Sequence, residues 1–183
     1  MLKIVIVPSN TLSSPTKPVA KIDDKIKKIV SQMEKILTAQ TDPPGVGLAA
    51  NQVGLDLSIF IIRPSEKSKI KVFINPRIVS RTDPFKDSPK RVSPYKKKKR
   101  VKLEGCLSIP RIWGPVKRAG RIFLHYQDST GKKYLKWFSG FEATVIQHEI
   151  DHLNGIAFTQ RAVEQKGQLY KEEDGELNKI ELA

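Results

Sequence analysis

Two hydrophobic periodicities alternate along this chain, and they predict a mixture of helices and strands. From Val19 to Gln40, apolar residues recur every three or four positions between lysines, which predicts an amphipathic helix near the N-terminus. A second helix is predicted from Ser139 to Gly155. Ser139 and Glu142 form a capping-box pattern at its start, and the glycine suits a left-handed C-cap. Its apolar positions suffice to bury most of its circumference.

The other apolar runs are short and rich in β-branched and aromatic residues, as expected of strands. They cover residues 3–7, 57–62, 71–74, 101–109, 121–126, 133–138, 169–173 and 176–182. Turn sequences at Asp128–Gly131 and Asp174-Gly175 separate the last four runs into two β-hairpins. Asn75-Pro76 is expected to end the strand that begins at residue 71.

Length and composition indicate one globular domain over residues 1–183. No apolar run approaches the ~18 residues of a membrane span, and the N-terminal apolar run is too short for a secretory signal. The single cysteine excludes an internal disulfide, which fits a reducing cytoplasm. The C-terminal hairpin, about residues 165–183, is read as an extension of the domain.

The net charge of +14 invites a nucleic-acid interpretation, but the charge is unevenly distributed. Ten basic residues and two aspartates between Arg81 and Lys102 contribute +8 of the excess. Three prolines in the same stretch favour an extended, solvated loop insertion at about 81–100 over a folded domain that reads bases. No sequence-specific nucleic-acid partner is expected.

The sequence Gln147-His148-Glu149-Ile150-Asp151-His152 carries the first chemical signal. Residues four apart on a helix lie on the same face, so His148 and His152 would present two imidazoles to one metal ion. Glu149 lies beside that point without being a ligand, where it can exchange a proton with a metal-bound water.

A water-activating metal site needs a third protein ligand and one open position. Cys106 is the first candidate because it is the only thiol and belongs to the polar motif Glu104-Gly105-Cys106-Leu107-Ser108. Glu164, downstream of the second histidine, is the alternative and would indicate a zinc peptidase. His125 is read as an ordinary strand residue outside the site.

The segment Gly45–Gly54 contains three glycines and two alanines, which allow close backbone approach to a ligand. Its glycine spacing fits neither a dinucleotide-binding fingerprint nor a phosphate loop. The side-chain amide of Gln52 can donate and accept hydrogen bonds at once, and such a glutamine commonly braces a loop.

These three motifs, in this order and at roughly this spacing, resemble peptide deformylase. The resemblance runs from the first strand to the end of the second helix and is poor across residues 81–100 and the C-terminal tail. It implies an α+β fold in which antiparallel β-sheets wrap around a central metal-binding α-helix.

The resemblance also implies the reaction and the ligands. A cytoplasmic enzyme, or one in a bacterial-type organelle although no transit peptide is visible, would remove formyl from the formyl-methionine of nascent peptides. Cys106, His148 and His152 would bind one divalent metal ion, Fe²⁺ in vivo, with Zn²⁺, Ni²⁺ or Co²⁺ able to replace it. Metal-bound hydroxide would attack the formyl carbon, with Glu149 as general base and acid. The Gln52 amide and the Leu107 backbone N–H would stabilise the oxyanion.

The substrate peptide is expected to lie extended along Val46, Gly47 and Gly105. On the metal helix, Thr144 and Val145 share the face of His148, and with Phe141 they are the predicted wall of the methionine pocket. No membrane partner is expected. A nucleic-acid-binding module is the alternative from another class, and a contact between Lys96–Arg100 and ribosomal RNA is an auxiliary hypothesis.

Overall fold

A computed structural model describes residues 2–82 and 102–181, and the first helix in it is amphipathic as predicted. Helix α1 spans Asp24–Ala39, and the Asp23 carboxylate caps it by accepting a hydrogen bond from the backbone N–H of Ile26 at 3.0 Å. It begins later than Val19, whose N–H instead donates to the side chain of Asn75 at 2.8 Å. Its buried stripe contains Met33 and Leu37, both fully buried.

Five antiparallel strands form the larger sheet, in the order β1-β2-β3-β6-β7. Their bounds are Gly47–Ala49 (β1), Ile59–Ile62 (β2), Lys71–Thr82 (β3), Arg121–Gln127 (β6) and Lys133–Ser139 (β7). One face of β2 and β3 packs against α1, and the other packs against the metal helix through Phe60 and Phe73, whose rings stack at 4.6 Å. β1 lies at one edge of this sheet.

The smaller sheet has the order β4-β5-β8-β9 and is also antiparallel. Its strands are Leu103–Cys106 (β4), Ile109–Pro115 (β5), Tyr170–Glu173 (β8) and Glu176–Lys179 (β9). β4 lies at the edge of this sheet, and the short helix α3, Phe158–Glu164, packs on β4 and β5. Each sheet therefore has a three- or four-residue edge strand, and both edge strands carry predicted site residues.

Helix α2, Gly140–Leu153, carries the two histidines and contacts β1, β2, β6 and β7. Nine of its fourteen residues are buried, as expected of a central helix. The predicted C-cap is confirmed: Gly155 has φ +71° and its N–H donates to the carbonyl of His152 at 3.0 Å. The fold is therefore α+β, with antiparallel sheets around a central helix.

Several local predictions are wrong. Residues 3–7 run beside a 3-10 turn at Ala50–Val53 without joining a sheet; the N–H of Val5 donates to the carbonyl of Gln52 at 2.8 Å. Strand β3 passes through Asn75-Pro76 by a β-bulge. The single strand predicted over 101–109 is a hairpin with its turn at Leu107-Ser108.

The predicted capping box at Ser139 is also absent. That side chain makes no cap hydrogen bond, because Ser139 still belongs to β7, where it pairs with Arg121. Glu142 instead forms an ion pair with Lys71. The predicted loop at 81–100 lies outside the described residues except for Arg81 and Thr82, which end β3. In the described part of the chain, no helix is long and apolar enough to cross a membrane.

Candidate metal centre and active site

Helix α2 and the end of β4 bring the three predicted ligands together. His148 and His152 lie one turn apart on α2 and face Cys106, the last residue of β4. The ligand atoms of the three side chains all lie within 4.8 Å of one another, and Cys106 Sγ is 3.1 Å from His152 Nε2. The helix periodicity and the hairpin turn after Cys106 together produce this convergence.

The donor set and its spacing fit a divalent metal ion. Ligand atoms around a tetrahedral ion with bonds of about 2.0–2.3 Å lie roughly 3.3–3.6 Å apart. The separation between Cys106 Sγ and His152 Nε2 is close to that range at 3.1 Å, and no two ligand atoms are more than 4.8 Å apart. His148 Nδ1 lies 3.0 Å from Glu104 Oε2, which leaves Nε2 of that ring for an ion.

A buried network of charged side chains contacts His148 on the side of its Nδ1 atom. The Arg118 guanidinium binds both carboxylate oxygens of Glu104 at 2.9 Å and also pairs with Asp151. Asp151 is held from the other side by Arg161 at 3.0 Å. The side chains of Arg118, Glu104 and Asp151 are each no more than a tenth exposed. Arg118 thus fixes two buried carboxylates, one of which contacts the imidazole of His148.

The two histidines have opposite shifts of pKa. Burial lowers the pKa of His152 well below its usual value, and the nearby His148 and Arg118 lower it further. Burial also acts to lower the pKa of His148, but hydrogen bonds to Cys106 and Glu104 raise it well above its usual value. Because metal ligands must be deprotonated, an ion at this site competes with a proton on His148.

Glu149 is the buried acid beside the cluster. Burial raises the pKa of its carboxyl to about 7, although the neighbouring His148 acts to lower it. Its Oε2 has no hydrogen-bond partner among the described residues. The other oxygen lies against Gly47 so closely that a Cβ built at that glycine would be 2.2 Å from it. Gly47 therefore provides the space that this carboxylate occupies.

Gln52 lies on the 3-10 turn and uses both ends of its amide. Its Oε1 accepts from the N–H of Ala49 at 2.9 Å, which is the predicted loop brace. Its Nε2 lies 3.3 Å from Cys106 Sγ and 3.2 Å from Ser108 Oγ. Asn51, the residue before it, donates to the carbonyl of His152 and ties the turn to α2.

A cavity of about 440 Å³ opens beside the cluster, and the other predicted site residues line it. They are Val46, Gly47, Gly105, Leu107, Phe141, Thr144 and Val145, together with Cys106, His148 and Glu149. Val145 is buried, whereas Phe141 is about half exposed at the rim. Gln52 and His152 lie behind Cys106, outside the lining.

The sequence interpretation missed the contact of Glu104 with His148, the contact of Arg118 with Glu104, and Trp113, which also lines the cavity. Glu104 had a detectable signal, because residues two apart on a strand share a face and Glu104 precedes Cys106 by two. Arg118 and Trp113 had no comparable signal. Glu164, the alternative ligand, pairs with Arg161 and Gln160 at the surface and is not part of the cluster.

Three converging side chains able to hold a metal ion, a buried carboxylate beside them and an adjoining open cavity are the features of a metal-dependent hydrolase. The polypeptide deformylase family model matches residues 1–168. The chain belongs to this family.

Individual relatives agree with the family match. The chain is 38% identical over 157 residues to the peptide deformylase of Borreliella burgdorferi, covering 86% of this chain and 85% of that protein. It is 39% identical over 159 residues to that of Nitrosococcus oceani, covering 86% and 84%. The crystal structure of the Thermotoga maritima peptide deformylase superposes with a TM-score of 0.72 at 33% identity, covering 88% of this chain and 97% of that one. The protein is therefore a metal-dependent hydrolase that removes the N-formyl group from nascent peptides.

Proposed function

We propose that Glu149 is the general base and general acid of the deformylation reaction. The observation that carries the proposal is the position of its carboxylate, which is buried beside the three ligands and has an oxygen with no partner in the described structure. In this position Glu149 takes a proton from the attacking water and delivers it to the departing amine. Transfer by one carboxylate in both directions requires only hydrogen-bond reach to both atoms.

Cys106, His148 and His152 would hold the ion, which we propose is Fe²⁺ in vivo, with Zn²⁺, Ni²⁺ or Co²⁺ able to occupy the same ligands. When bound, a divalent ion of this kind lowers the pKa of a water ligand towards about 7 and so makes a nucleophile available at neutral pH. Glu104 fixes the ring of His148 and leaves one nitrogen directed to the ion.

Two donors beside Cys106 would stabilise the negative charge that develops on the formyl oxygen. The Nε2 amide of Gln52 is held in place because the other end of the side chain is bound to Ala49. Leu107 follows Cys106 in the hairpin turn and lines the cavity, so its backbone N–H is the second proposed donor. Such donors act because they are oriented before the reaction begins.

The substrate would lie extended between the two edge strands. β1 carries Gly47 and β4 carries Gly105, and each strand has a neighbour in its sheet on one side only. A peptide placed between them can form backbone hydrogen bonds to both edges in the manner of an added strand. Val46 flanks this path. Phe141, Thr144 and Val145 on α2 would form the wall of the methionine pocket.

The decisive measurement for Glu149 is formate release from formyl-Met-Ala-Ser, with metal content determined in the same samples. We expect Glu149→Gln to retain the ion and to turn over about 10²–10⁴-fold more slowly, which is the usual contribution of acid–base catalysis. Glu142→Gln is the matched control, because Glu142 lies on the same helix but pairs with Lys71. Activity of Glu149→Gln within tenfold of the unchanged protein would refute the assigned role.

We propose further that residues 1–183 act as one catalytic domain in the cytoplasm, or in a bacterial-type organelle, where nascent chains are made. The run Lys96–Arg100, which lies outside the described residues, would contact ribosomal RNA through its charge. Neutralising its five residues should weaken co-sedimentation with ribosomes. Neutralising five lysines around α1 (Lys21, Lys25, Lys27, Lys28 and Lys35) is the charge-matched control, and equal losses from both variants would oppose a specific contact.

A further inference from the structure

The larger sheet has an outer face over β6 and β7, on the side away from α2. Ile122, Leu124 and Phe138 are buried against α2, so the residues between them point to the opposite side of the sheet. On that side, α1 packs against β1 and β2. The outer residues of β6 and β7 face solvent, with Leu135 55% and Trp137 42% exposed.

Two aromatic rings stack on this outer face. Phe123 of β6 pairs with Trp137 of β7, and their ring centroids are 5.1 Å apart at an interplanar angle of 28°. The guanidinium of Arg121 lies 4.8 Å from the centre of the Trp137 ring. Three flat groups therefore lie against one another on an exposed sheet surface.

The two tryptophans of the chain have different environments. The indole N–H of Trp113 donates to Glu172 Oε2 at 2.6 Å, and its ring packs beside the substrate cavity. The described contacts of Trp137 are instead stacking contacts, with Phe123 and Arg121. An exposed ring of this kind can stack with a further flat group.

The strands β3, β6 and β7 carry basic residues and no acidic residue. The basic residues are Lys71, Arg77, Arg81, Arg121, Lys133 and Lys136. By strand register, Arg77, Arg121 and Lys133 point to the outer face. None of these three forms an ion pair within the described residues. The face around the stacked rings is therefore positively charged and complements an anionic ligand.

We propose that the outer face of β3, β6 and β7 binds single-stranded RNA. Bases stack beside Phe123, Trp137 and Arg121, and Arg77 and Lys133 contact the phosphates. Unpaired bases stack on aromatic rings and guanidinium planes, while surrounding basic side chains follow the nucleic-acid backbone. Stacking of this kind tolerates every base, so the ligand is a short unpaired segment of any sequence.

This face differs from the run Lys96–Arg100, which contains no aromatic residue and would contact RNA through charge alone. The two contacts can be separated experimentally, because removing an aromatic ring from the outer face leaves the net charge unchanged.

Charge and apolar area favour RNA over two other occupants of this face. A second copy of the chain would bring two basic surfaces together, and like charges repel. A lipid surface holds a protein through inserted apolar side chains. In the described parts of these three strands, the large exposed aliphatic side chains are Val79 and Leu135, which offer little area for insertion.

The test is the fluorescence anisotropy of a labelled oligouridylate of about 12 nucleotides, titrated with the metal-loaded protein at several salt concentrations. Trp137→Leu and Phe123→Leu should each weaken binding about 5–50-fold, the usual effect of losing a stacking ring. Arg121→Gln should weaken binding and lower the slope of log affinity against log salt by about one. Lys179→Gln on the smaller sheet is the charge-matched control and should bind within twofold of the unchanged protein.

A second measurement locates the RNA on this face. The chain has two tryptophans, so Trp113→Phe leaves Trp137 as the only indole emitter. The oligouridylate should quench this emission, because a stacked base lies against the ring. Formate release should stay within twofold in Trp137→Leu and Phe123→Leu, since both side chains lie on the opposite side of the sheet from α2.

Three outcomes would overturn the inference. RNA binding that both leucine variants leave unchanged would show that the rings take no part. Equal affinity for a duplex of the same length would show that charge alone carries the binding. Binding of Trp137 to vesicles of phosphatidylcholine and phosphatidylglycerol, without binding to RNA, would assign the face to a membrane. Absence of formate release from the unchanged protein would instead contradict the proposed function and leave this inference unaffected.

Discussion

Glu104 Oε2 lies 3.0 Å from His148 Nδ1 and is the hydrogen-bond partner of that nitrogen among the described residues. The carboxylate is itself held by Arg118 through two 2.9 Å contacts. A metal-ligating histidine whose second nitrogen is bound in this way keeps a fixed ring orientation. The orientation of His148 therefore depends on Glu104 and Arg118, which are not among the three candidate ligands.

The first prediction concerns this contact. Glu104→Gln should reduce metal affinity by about 10–100-fold, because the amide holds the ring of His148 less firmly and removes a negative charge. Competition with a chromogenic chelator measures the change. Glu142→Gln, outside the network, should bind metal as the unchanged protein does, and equal affinities in both variants would contradict the role of Glu104.

The second prediction concerns stability. Arg118→Met should lower the free energy of unfolding by about 3–5 kcal/mol, because it leaves the buried carboxylate of Glu104 without its guanidinium and Asp151 with only the partly exposed Arg161. Arg161→Met is the comparison, since a third of that side chain is exposed and Asp151 retains Arg118. Arg161→Met should lower the free energy of unfolding by less than about 1 kcal/mol. Urea unfolding of the two variants checks the difference, and equal costs would show that Arg118 does not hold the network.

The third prediction concerns Gly47. An alanine there would place its Cβ 2.2 Å from Glu149 Oε1, so the carboxylate must move. Turnover should fall by about 10²-fold or more, because proton transfer requires the carboxylate within hydrogen-bond reach. Metal content should remain near that of the unchanged protein, since the three atoms nearest to the added Cβ all belong to Glu149. Full turnover in Gly47→Ala would show that the position of Glu149 is not critical.

The fourth prediction concerns removal of the ion. Cys106 on β4 and the two histidines on α2 join two elements, so metal binding to the folded state should raise the melting temperature. Free metal at 100 times its dissociation constant adds about 2.7 kcal/mol. Calorimetry before and after dialysis against a chelator, with metal assayed, measures this. An unchanged melting temperature after proven metal loss would show that metal binding does not stabilise the folded state.

Much of the site was predictable because its chemistry is local in sequence. The helical spacing of His148 and His152 already determines that they share a face. The pairing of Glu104 with Arg118 was not predictable, because the two residues belong to different elements and meet only after the smaller sheet has formed. Trp113 and Glu172 are 59 residues apart and show the same difficulty.

The errors in the predicted helices and strands have similar causes. Helix α1 was predicted to begin at Val19, but a side chain 56 residues away, Asn75, binds the backbone there. The same asparagine adopts φ +51° and lets β3 continue past a proline that was expected to end it. Helix α3 has seven residues, too few for a helical periodicity to be visible. In each case a tertiary contact or the length of the element outweighed the local pattern.

The short length of the two edge strands, β1 and β4, limits the number of hydrogen bonds that a bound substrate peptide would form. β1 has three residues and β4 has four, so a peptide seated between them gains few main-chain hydrogen bonds. Main-chain contacts of this kind read no side chains, so the proposed binding mode predicts that these edges would hold peptides of different sequence equally well. Because such contacts would be few, it also predicts that the product would be held weakly.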